Sequence, residues 1–423
     1  MRLALVVCLL CLFAVLPGLA EESDFPALLR RSLLANPELK QGQAALARRR
    51  AELPAAGALP DPMLETGLQN FEFARWSLGS EPMSNLAVMV SQELPYPPKL
   101  ALRTQMAEIE VAMARQELRM RVWRLYRDLK SAYSELSYTH QAEGLLNELE
   151  RLLRQMLKIV ELNYSVGKAM QADVLSVRQE LSMLNERKIM LEQRRSRARI
   201  VIERVLGDIR LPELERTGWQ ALPEPGPLPD LNRLVQALLQ APELQEAAMV
   251  IRLSEFSEQM AQLEFIPDPM LSGGVMLRGP LPAMWNLQVG FPLPVFAARK
   301  QAPLAEAAVE ARKEAKARAE NLRQRLVAQV RDNLTMIESE LKQAELYREV
   351  LIPQARLTVD ALLAGYVGGK IDFVDLLEGY RQFLEYHLTL PEKQLNAQRA
   401  LAMLEEMLAT SLSFRDLDKE IEP

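Results

Sequence analysis

The sequence predicts a mainly α-helical fold with a small β part: long helical hairpins plus four short strands per chain. Three observations carry this. From Pro98 to Pro212 there is no proline, and this 113-residue interior is rich in helix formers. Four short segments, arranged as two pairs, alternate apolar and polar residues with period two. The landmarks of the first half also return in the second in the same order, about 200 residues later. Asn36-Pro37-Glu38-Leu39 returns as Ala241-Pro242-Glu243-Leu244, and Leu59-Pro60-Asp61-Pro62-Met63-Leu64 as Ile266-Pro267-Asp268-Pro269-Met270-Leu271. Leu94-Pro95 returns as Leu293-Pro294, and Tyr164-Ser165-Val166-Gly167-Lys168 as Tyr366-Val367-Gly368-Gly369-Lys370.

The elements follow in order. Residues 1–20 read as a signal peptide, with Arg2 before an apolar run from Leu3 to Leu16 and a small-residue site ending at Ala20. The chain is therefore expected to be exported. The run is too short and wrongly flanked for a spanning helix. Both cysteines, Cys8 and Cys11, fall inside it, so the mature chain has no disulfide, no thiolate site and no cysteine for a lipid anchor. No later stretch approaches eighteen apolar residues.

Residues 21–210 form the first copy. A half-length helix over 24–58 leads to strands at about 62–71 and 85–94. In the first, Leu64, Thr66 and Leu68 alternate with Glu65, Gly67 and Gln69; in the second, Leu86, Val88 and Val90 alternate with Ala87, Met89 and Ser91. A long helix follows over 99–164, with Val122, Tyr126, Leu129, Tyr133 and Leu136 in heptad-like steps. At 1.5 Å per residue it spans roughly 100 Å. Ser165 to Lys168 breaks it, Asp173 stands as a candidate N-cap, and a half-length helix returns over 172–206. Residues 211–229 carry prolines at 212, 223, 225, 227 and 229 and read as a linker or collar.

Residues 230–412 repeat the plan, with a helical stretch over 230–265 and strands at about 269–278 and 285–293. In the last strand Trp285, Leu287, Val289 and Phe291 alternate with Asn286, Gln288 and Gly290. Pro353 and Pro391 fall inside this copy's helices, where each should kink or interrupt its helix. Residues 413–423 form a polar tail.

The composition, 49% hydrophobic and 25% charged, excludes a disordered chain, and a net charge of -5 without basic clusters gives no sign of nucleic-acid binding. Alternating strands beside helices suit an ordinary α+β core. Export, matched pairing and very long neighbouring helices point elsewhere, because each strand has about the length a tilted membrane strand needs. Four strands cannot close a barrel, and an open sheet edge cannot sit in lipid. A membrane reading therefore requires copies. Three copies give a trimeric twelve-stranded barrel, continuous with a helical tube reaching into the periplasm.

The chain resembles the TolC-type outer-membrane efflux family. Within it, the cation and heavy-metal subclass is the nearest match, on Asn36-Pro37-Glu38-Leu39, Leu59-Pro60-Asp61-Pro62-Met63 and the Gln92-Glu93-Leu94-Pro95 run into Lys99, with the twin Tyr-x-x-Gly turns. The resemblance implies a homotrimeric channel in outer-membrane lipid, no cofactor, a periplasmic adaptor protein, and an inner-membrane pump of the proton-driven resistance-nodulation-division type. It implies adaptor docking at the two turns, carried here by Val166, Gly167, Lys168, Gly369 and Lys370; plain turn chemistry is the other reading. It also implies a periplasmic gate at Asp375 and Glu378, which share one helix face at i, i+3 spacing. In a trimer turned inward they form stacked acidic rings that attract cations; a solvated helix face is the alternative. Glu378 departs from the family type, and Ile371 stands at a position that can hold a basic residue in the family, so the resemblance assigns no specific locking pair.

Phe71, Phe73, Trp76, Trp285 and Phe291 stand near the strands as candidates for a membrane interface, or for loop packing. The two histidines, His140 and His387, lie alone in helical stretches, and no nucleophile–base set stands out, so the sequence gives no enzyme site. A periplasmic coiled-coil scaffold without a channel is the competing reading, although such adaptors add a strand-rich domain that this chain lacks.

Overall fold

Proline placement sets the first helix boundaries. The computed structural model describes residues 25–71, 78, 81, 83–207, 219 and 221–414. The expected leader with Cys8 and Cys11, Phe73 and Trp76, residues 211–218 and 220 of the proline-rich segment, and residues 415–423 of the tail lie outside the described residues. The helix expected over 24–58 is two helices, α1 (Phe25–Ala35) and α2 (Pro37–Ala56). A residue before proline is pushed out of the helical region, and Asn36 sits there at ψ 125. Its Oδ1 caps α2, accepting from the Glu38 N–H at 2.8 Å and the Leu39 N–H at 3.2 Å. The second copy breaks at the same place and for the same reason. Ala241 precedes Pro242 at ψ 140 and separates α5 (Leu231–Leu238) from α6 (Pro242–Leu263).

The long helix α3 runs over Pro97–Ser165 and α4 returns over Gln171–Leu206. Asp173 is not the N-cap, which is Met170; it stands three residues on, where its Oδ2 accepts from the Met170 N–H at 2.8 Å. The second copy has α7 (Gln301–Leu346), α8 (Ile352–Val367) and α9 (Phe373–Leu408). Between α7 and α8, Tyr347–Leu351 is a π-helical turn, closed by the Ile352 N–H donating to the Tyr347 carbonyl. Pro353 has no N–H for the next α-helical bond, and the wider turn relieves the crowding ahead of its ring. Pro391 lies inside α9, which continues past it.

The four strands are β1 (Met63–Gln69), β2 (Asn85–Glu93), β3 (Met270–Arg278) and β4 (Leu281–Gly290). They form one antiparallel sheet in the order β1-β2-β3-β4. The last strand begins four residues before Trp285 and stops before Phe291. Gly279, at φ +60, and Pro280 turn the chain directly from Arg278 into Leu281, with a register shift between Met276 and Arg278. Pro282 is accommodated at that shift, outside the paired positions of β3 and β4.

Two compact units divide the chain, and each draws on both sequence copies. One gathers Asp128–Glu224 and Gln343–Leu395 with residues 25–34. Its core takes Leu146, Leu149, Leu153, Met156 and Val160 from α3 in steps of three and four, the seam of a coiled coil. They meet Val174, Val177, Leu184 and Leu191 of α4 and Phe373, Leu376, Tyr380 and Leu384 of α9. The buried Tyr380 hydroxyl donates to the Leu149 carbonyl at 2.7 Å, and burial pushes its pKa up. Phe25, Tyr133 and Trp219 stack edge-on at 5.7 and 5.3 Å. The expected heptad positions Val122, Tyr126, Leu129, Tyr133 and Leu136 are all buried.

The other unit gathers Ala35–Arg127 and Pro225–Lys342 with residues 396–414, and it holds the whole sheet. Its core joins Leu234 and Leu238 of α5, Leu326, Val330 and Ile337 of α7, and Leu401, Leu404 and Leu408 of α9. The stretch Gln301–Val367 contains a window apolar enough, by length and composition alone, to cross a membrane. Within that stretch Val359, Leu362 and Leu363 pack on the α3–α4–α9 core.

Candidate functional site

Register sorts the side chains of the sheet into two faces. Leu64 pairs with Val90, Val90 with Gly273, and Gly273 with Leu287; Thr66, Val88, Val275 and Trp285 form the next row. Adding Leu68, Leu86, Leu271, Leu277 and Val289 makes this face apolar almost throughout. It faces solvent in the single chain: Leu64 is 67% exposed, Leu287 62% and Trp285 80%. The opposite face carries Glu65, Gln69, Ser91, Glu93, Ser272, Asn286 and Gln288 beside small residues and methionines. An exposed apolar sheet face of this extent requires a covering. Among the described residues, neither β1 nor β4 pairs along its outer edge. Of the candidate interface aromatics, Trp285 and Phe291 are exposed and Phe71 is half-buried.

Where β2 enters α3, the repeated Pro-Asp-Pro motif has a structural task. Lys99, 1% exposed, donates to Asp268 Oδ2 and to the Ile266 carbonyl, both at 2.8 Å. The Tyr96 N–H donates to Asp268 Oδ1 at 2.8 Å, and the Leu94 N–H to the Pro269 carbonyl at 2.8 Å. Partial burial pushes the Asp268 carboxyl up, but the bonds from Lys99 and Tyr96 outweigh it and hold the carboxyl below the usual carboxylate range. Both residues stand in sequence motifs, yet they are 169 positions apart. Only strand pairing reveals the lock.

The two helix–helix turns are the same motif. After Tyr164, the Gly167 N–H donates to the Tyr164 carbonyl at 3.0 Å and the Lys168 N–H to Asn163 at 2.8 Å. After Tyr366, Gly369 donates to Tyr366 at 3.0 Å and Lys370 to Gly365 at 2.9 Å. This is the paired bonding of a Schellman cap. Gly167 at φ +76 and Gly369 at φ +68 occupy the left-handed position it requires. The preceding Gly368 sits at φ -76, where no glycine is needed. Val166, Gly167, Lys168, Gly369 and Lys370 are all exposed, as are the neighbouring Leu162, Met170, Val367 and Val374. Ala169 and Tyr366 anchor both turns in the same apolar cluster. Ile371 packs where Gly365 leaves room: a Cβ on Gly365 would stand 2.4 Å from Ile371 Cδ1.

Asp375 and Glu378 lie exposed in the first two turns of α9. Asp375 follows Gly369 by six residues, as Asp173 follows Gly167 by six. The twins are used differently. Asp173 is buried and spent on the Met170 N–H, whereas the Asp375 side chain has no hydrogen-bond or ionic partner among the described residues. Glu378, its side chain 72% exposed, stands 3.5 Å from Arg381. Arg381 in turn donates from both Nε and Nη2 to Oε1 of the buried Glu180, at 2.8 and 2.5 Å. That bonding raises the Arg381 pKa further. Glu180 thus takes up the guanidinium charge and leaves the acidic pair largely uncompensated. Sequence reasoning missed Arg381 and Glu180. Their signal is faint, because Arg381 is one more basic residue three positions after an acid and its main partner is 201 residues away.

His140 is exposed. His387 packs on Phe383 with ring centroids 4.3 Å apart, and burial pulls its pKa below the ordinary histidine value. Among the described residues no group of three or more His, Cys, Asp or Glu is gathered as a metal-binding set.

A family model described as outer membrane efflux protein matches residues 28–208 and 234–410. No curated protein matches the sequence. Several solved structures share the fold. The outer-membrane channel OprN is 16% identical with a TM-score of 0.79, over 92% of this chain and 90% of its own. CusC is 17% identical at 0.76, over 92% of each chain. VceC from Vibrio cholerae is 16% identical at 0.77, over 92% of this chain and 96% of its own. At these identities the likeness is one of fold.

Proposed function

Because the chain belongs to the outer membrane efflux protein family, we propose that three copies form the exit duct of a tripartite efflux system. In this reading a periplasmic adaptor protein and an inner-membrane pump of the proton-driven resistance-nodulation-division type deliver the cargo. The single observation that supports it most is the four-stranded sheet, with one exposed apolar face, one polar face and, among the described residues, no strand along either edge. A sheet of this kind is stable in lipid only when its edges are closed and its apolar face meets hydrocarbon. Twelve strands fall in the range of known membrane barrels. The apolar face turns outward to lipid, and the Glu65–Gln288 face lines the lumen.

The adaptor docks on the two glycine turns, where Val166, Lys168 and Lys370 stand exposed around Gly167 and Gly369. The gate is Asp375 with Glu378, turned toward the threefold axis as two stacked acidic rings. Rings of like charge concentrate cations and bind multivalent ones at a constriction. The duct selects little itself and passes what the pump supplies. Metal cations are the cargo class favoured by the subclass motifs and by the acidic rings.

Single-channel recording in planar bilayers tests the gate. Asp375→Ala with Glu378→Ala should raise conductance and weaken block by multivalent cations applied from the tip side. Unchanged conductance and block would remove the gate from these residues.

A further inference from the structure

The contact between β2 and β3 inside one chain is a template for the contact between copies. Strands β1 and β3 are equivalent at an offset of 207, from Met63 to Met270, and β2 and β4 at 199, from Ser91 to Gly290. The hairpin pairings Met63↔Ser91 and Met270↔Gly290 tie the two offsets together, and the return of Leu94-Pro95 as Leu293-Pro294 gives 199 separately from the sequence. One chain therefore contains the β2–β3 junction complete, and half of the corresponding β4–β1 junction at each outer edge.

We infer that β4 of one copy pairs with β1 of the next in the register of β2 with β3, and that Asp61 of the next copy takes the Phe296 N–H and the Arg299 guanidinium in a second Pro-Asp-Pro lock. The inference rests on the reading of a barrel closed by copies and supplies its joint. Transferring Val90↔Gly273 and Val88↔Val275 by the two offsets gives Val289↔Thr66 and Leu287↔Leu68. Gln92↔Leu271 becomes Phe291↔Leu64. Within the bounds of β1, the pairs so generated set the exposed apolar face of one strand against that of the other, and polar face against polar face; only Leu86↔Leu277 transfers past the end of β1, to Trp285↔Asn70. A one-residue error would put each on the wrong side.

Three further observations sit at the open edges. Tyr96 and Lys99 make a turn in which the Lys99 N–H donates to the Tyr96 carbonyl at 2.8 Å. Phe296 and Arg299 make the same turn at 2.9 Å, one inserted residue later. Asp61, Arg299 and the adjacent Lys300 are exposed, and among the described residues their side chains have no partner, whereas Lys99 and Asp268 are locked together. Gly67 and Gly274 are also equivalent at the 207 offset. A Cβ on Gly274 would meet the Val88 carbonyl oxygen at 2.4 Å and Met89 Cγ at 2.7 Å, but on Gly67 it would meet nothing within 4 Å. The strand that fills the space beside Gly274 comes from the same chain. The one beside Gly67 must come from another, which brings Gln288 there.

Disulfide trapping in isolated outer membranes tests the register, with Cys8 and Cys11 of the expected leader the only other thiols in the sequence. Leu287→Cys with Leu68→Cys should convert most of the protein into chains joined to one another on mild oxidation. Leu287→Cys with Leu64→Cys, four residues off, should give none. Trapping only in the second pair overturns the register. Absence of trapping in both, in a protein that still migrates as an oligomer and conducts, overturns the β4–β1 joint but leaves the channel reading standing. A monomer that never oligomerises overturns the closed barrel itself. For the lock, Asp61→Arg and Arg299→Asp should each lose the oligomer that resists detergent on a gel, and together they should regain it. Failure of the double variant to regain it, with the trapping intact, overturns the lock.

Discussion

Replacing Lys99 with Met removes the cation of a lock that the fold buries almost completely. Lys99 is 1% exposed and Asp268 17%. The methionine fills most of the stem volume but leaves the Ile266 carbonyl without its donor and the carboxylate with only the Tyr96 N–H. Removing one member of a buried ion pair costs about 3–5 kcal/mol. Asp268 keeps some water and one backbone bond, so the cost here is about 2–4 kcal/mol. With an unfolding entropy of roughly 2 cal/mol/K per residue, a chain of 423 residues loses about 2–4 °C in Tm. The assay is helix circular dichroism of the detergent-solubilised protein at one fixed scan rate, because a protein of this kind unfolds irreversibly. Lys99→Met combined with Asp268→Asn should cost clearly less than the two single changes added together, since the double variant buries no lone charge. A shift below about 1 °C in Lys99→Met, or strictly additive costs, would refute the reasoning. The same lock sets a pH dependence. The folded Asp268 pKa lies below its ordinary value, so its contribution is whole above a pH of about 4 and disappears as pH falls through the folded value. Wild-type Tm should therefore drop faster than that of Asp268→Asn as pH is taken from about 5 toward 3.

Two other outcomes follow from the geometry. Gly167→Ala and Gly369→Ala should each cost about 1–2 kcal/mol in chemical denaturation from backbone strain alone, because nothing lies within 4 Å of the added methyl, whereas Gly368→Ala should be close to neutral at its φ of -76. On the sheet, Leu287→Arg should cost about 2–4 kcal/mol if that face meets the middle of the bilayer, seen as lost outer-membrane yield, while Asn286→Arg on the polar face should assemble normally and alter ion selectivity; equal yields would reverse or abolish the lipid-face assignment.

Much of the fold was legible because its signals are local. A proline-free run of helix formers can only be helix over that length, and period-two alternation marks a strand wherever one face is apolar. The breaks at Asn36 and Ala241 were equally present, since each precedes a proline, but continuous apolar spacing on both sides concealed them. The early start of β4 was hidden by Pro280 and Pro282, which read as loop; Pro280 lies in the turn itself and Pro282 falls at the register shift, outside the paired positions of β3 and β4. The glycines of the turns were legible as a group. Which of them needs a left-handed backbone was not, because Gly368 and Gly369 differ in φ rather than in kind.

The sequence by itself determined the duplication, the long helices, the two faces of every strand and the residue types available at each turn, since these depend on spacing along one chain. Tertiary structure alone decided which copy of a repeated motif is already satisfied. Asp173 and Asp375 follow their glycines at the same distance, yet packing spends one on a helix cap and leaves the other exposed. Asp268 is locked by Lys99 because β2 and β3 pair within the chain, while Asp61, ahead of the edge strand β1, has no side-chain partner among the described residues. A duplicated sequence states each motif twice. Pairing between distant strands then determines which of the two has its partner in the same molecule.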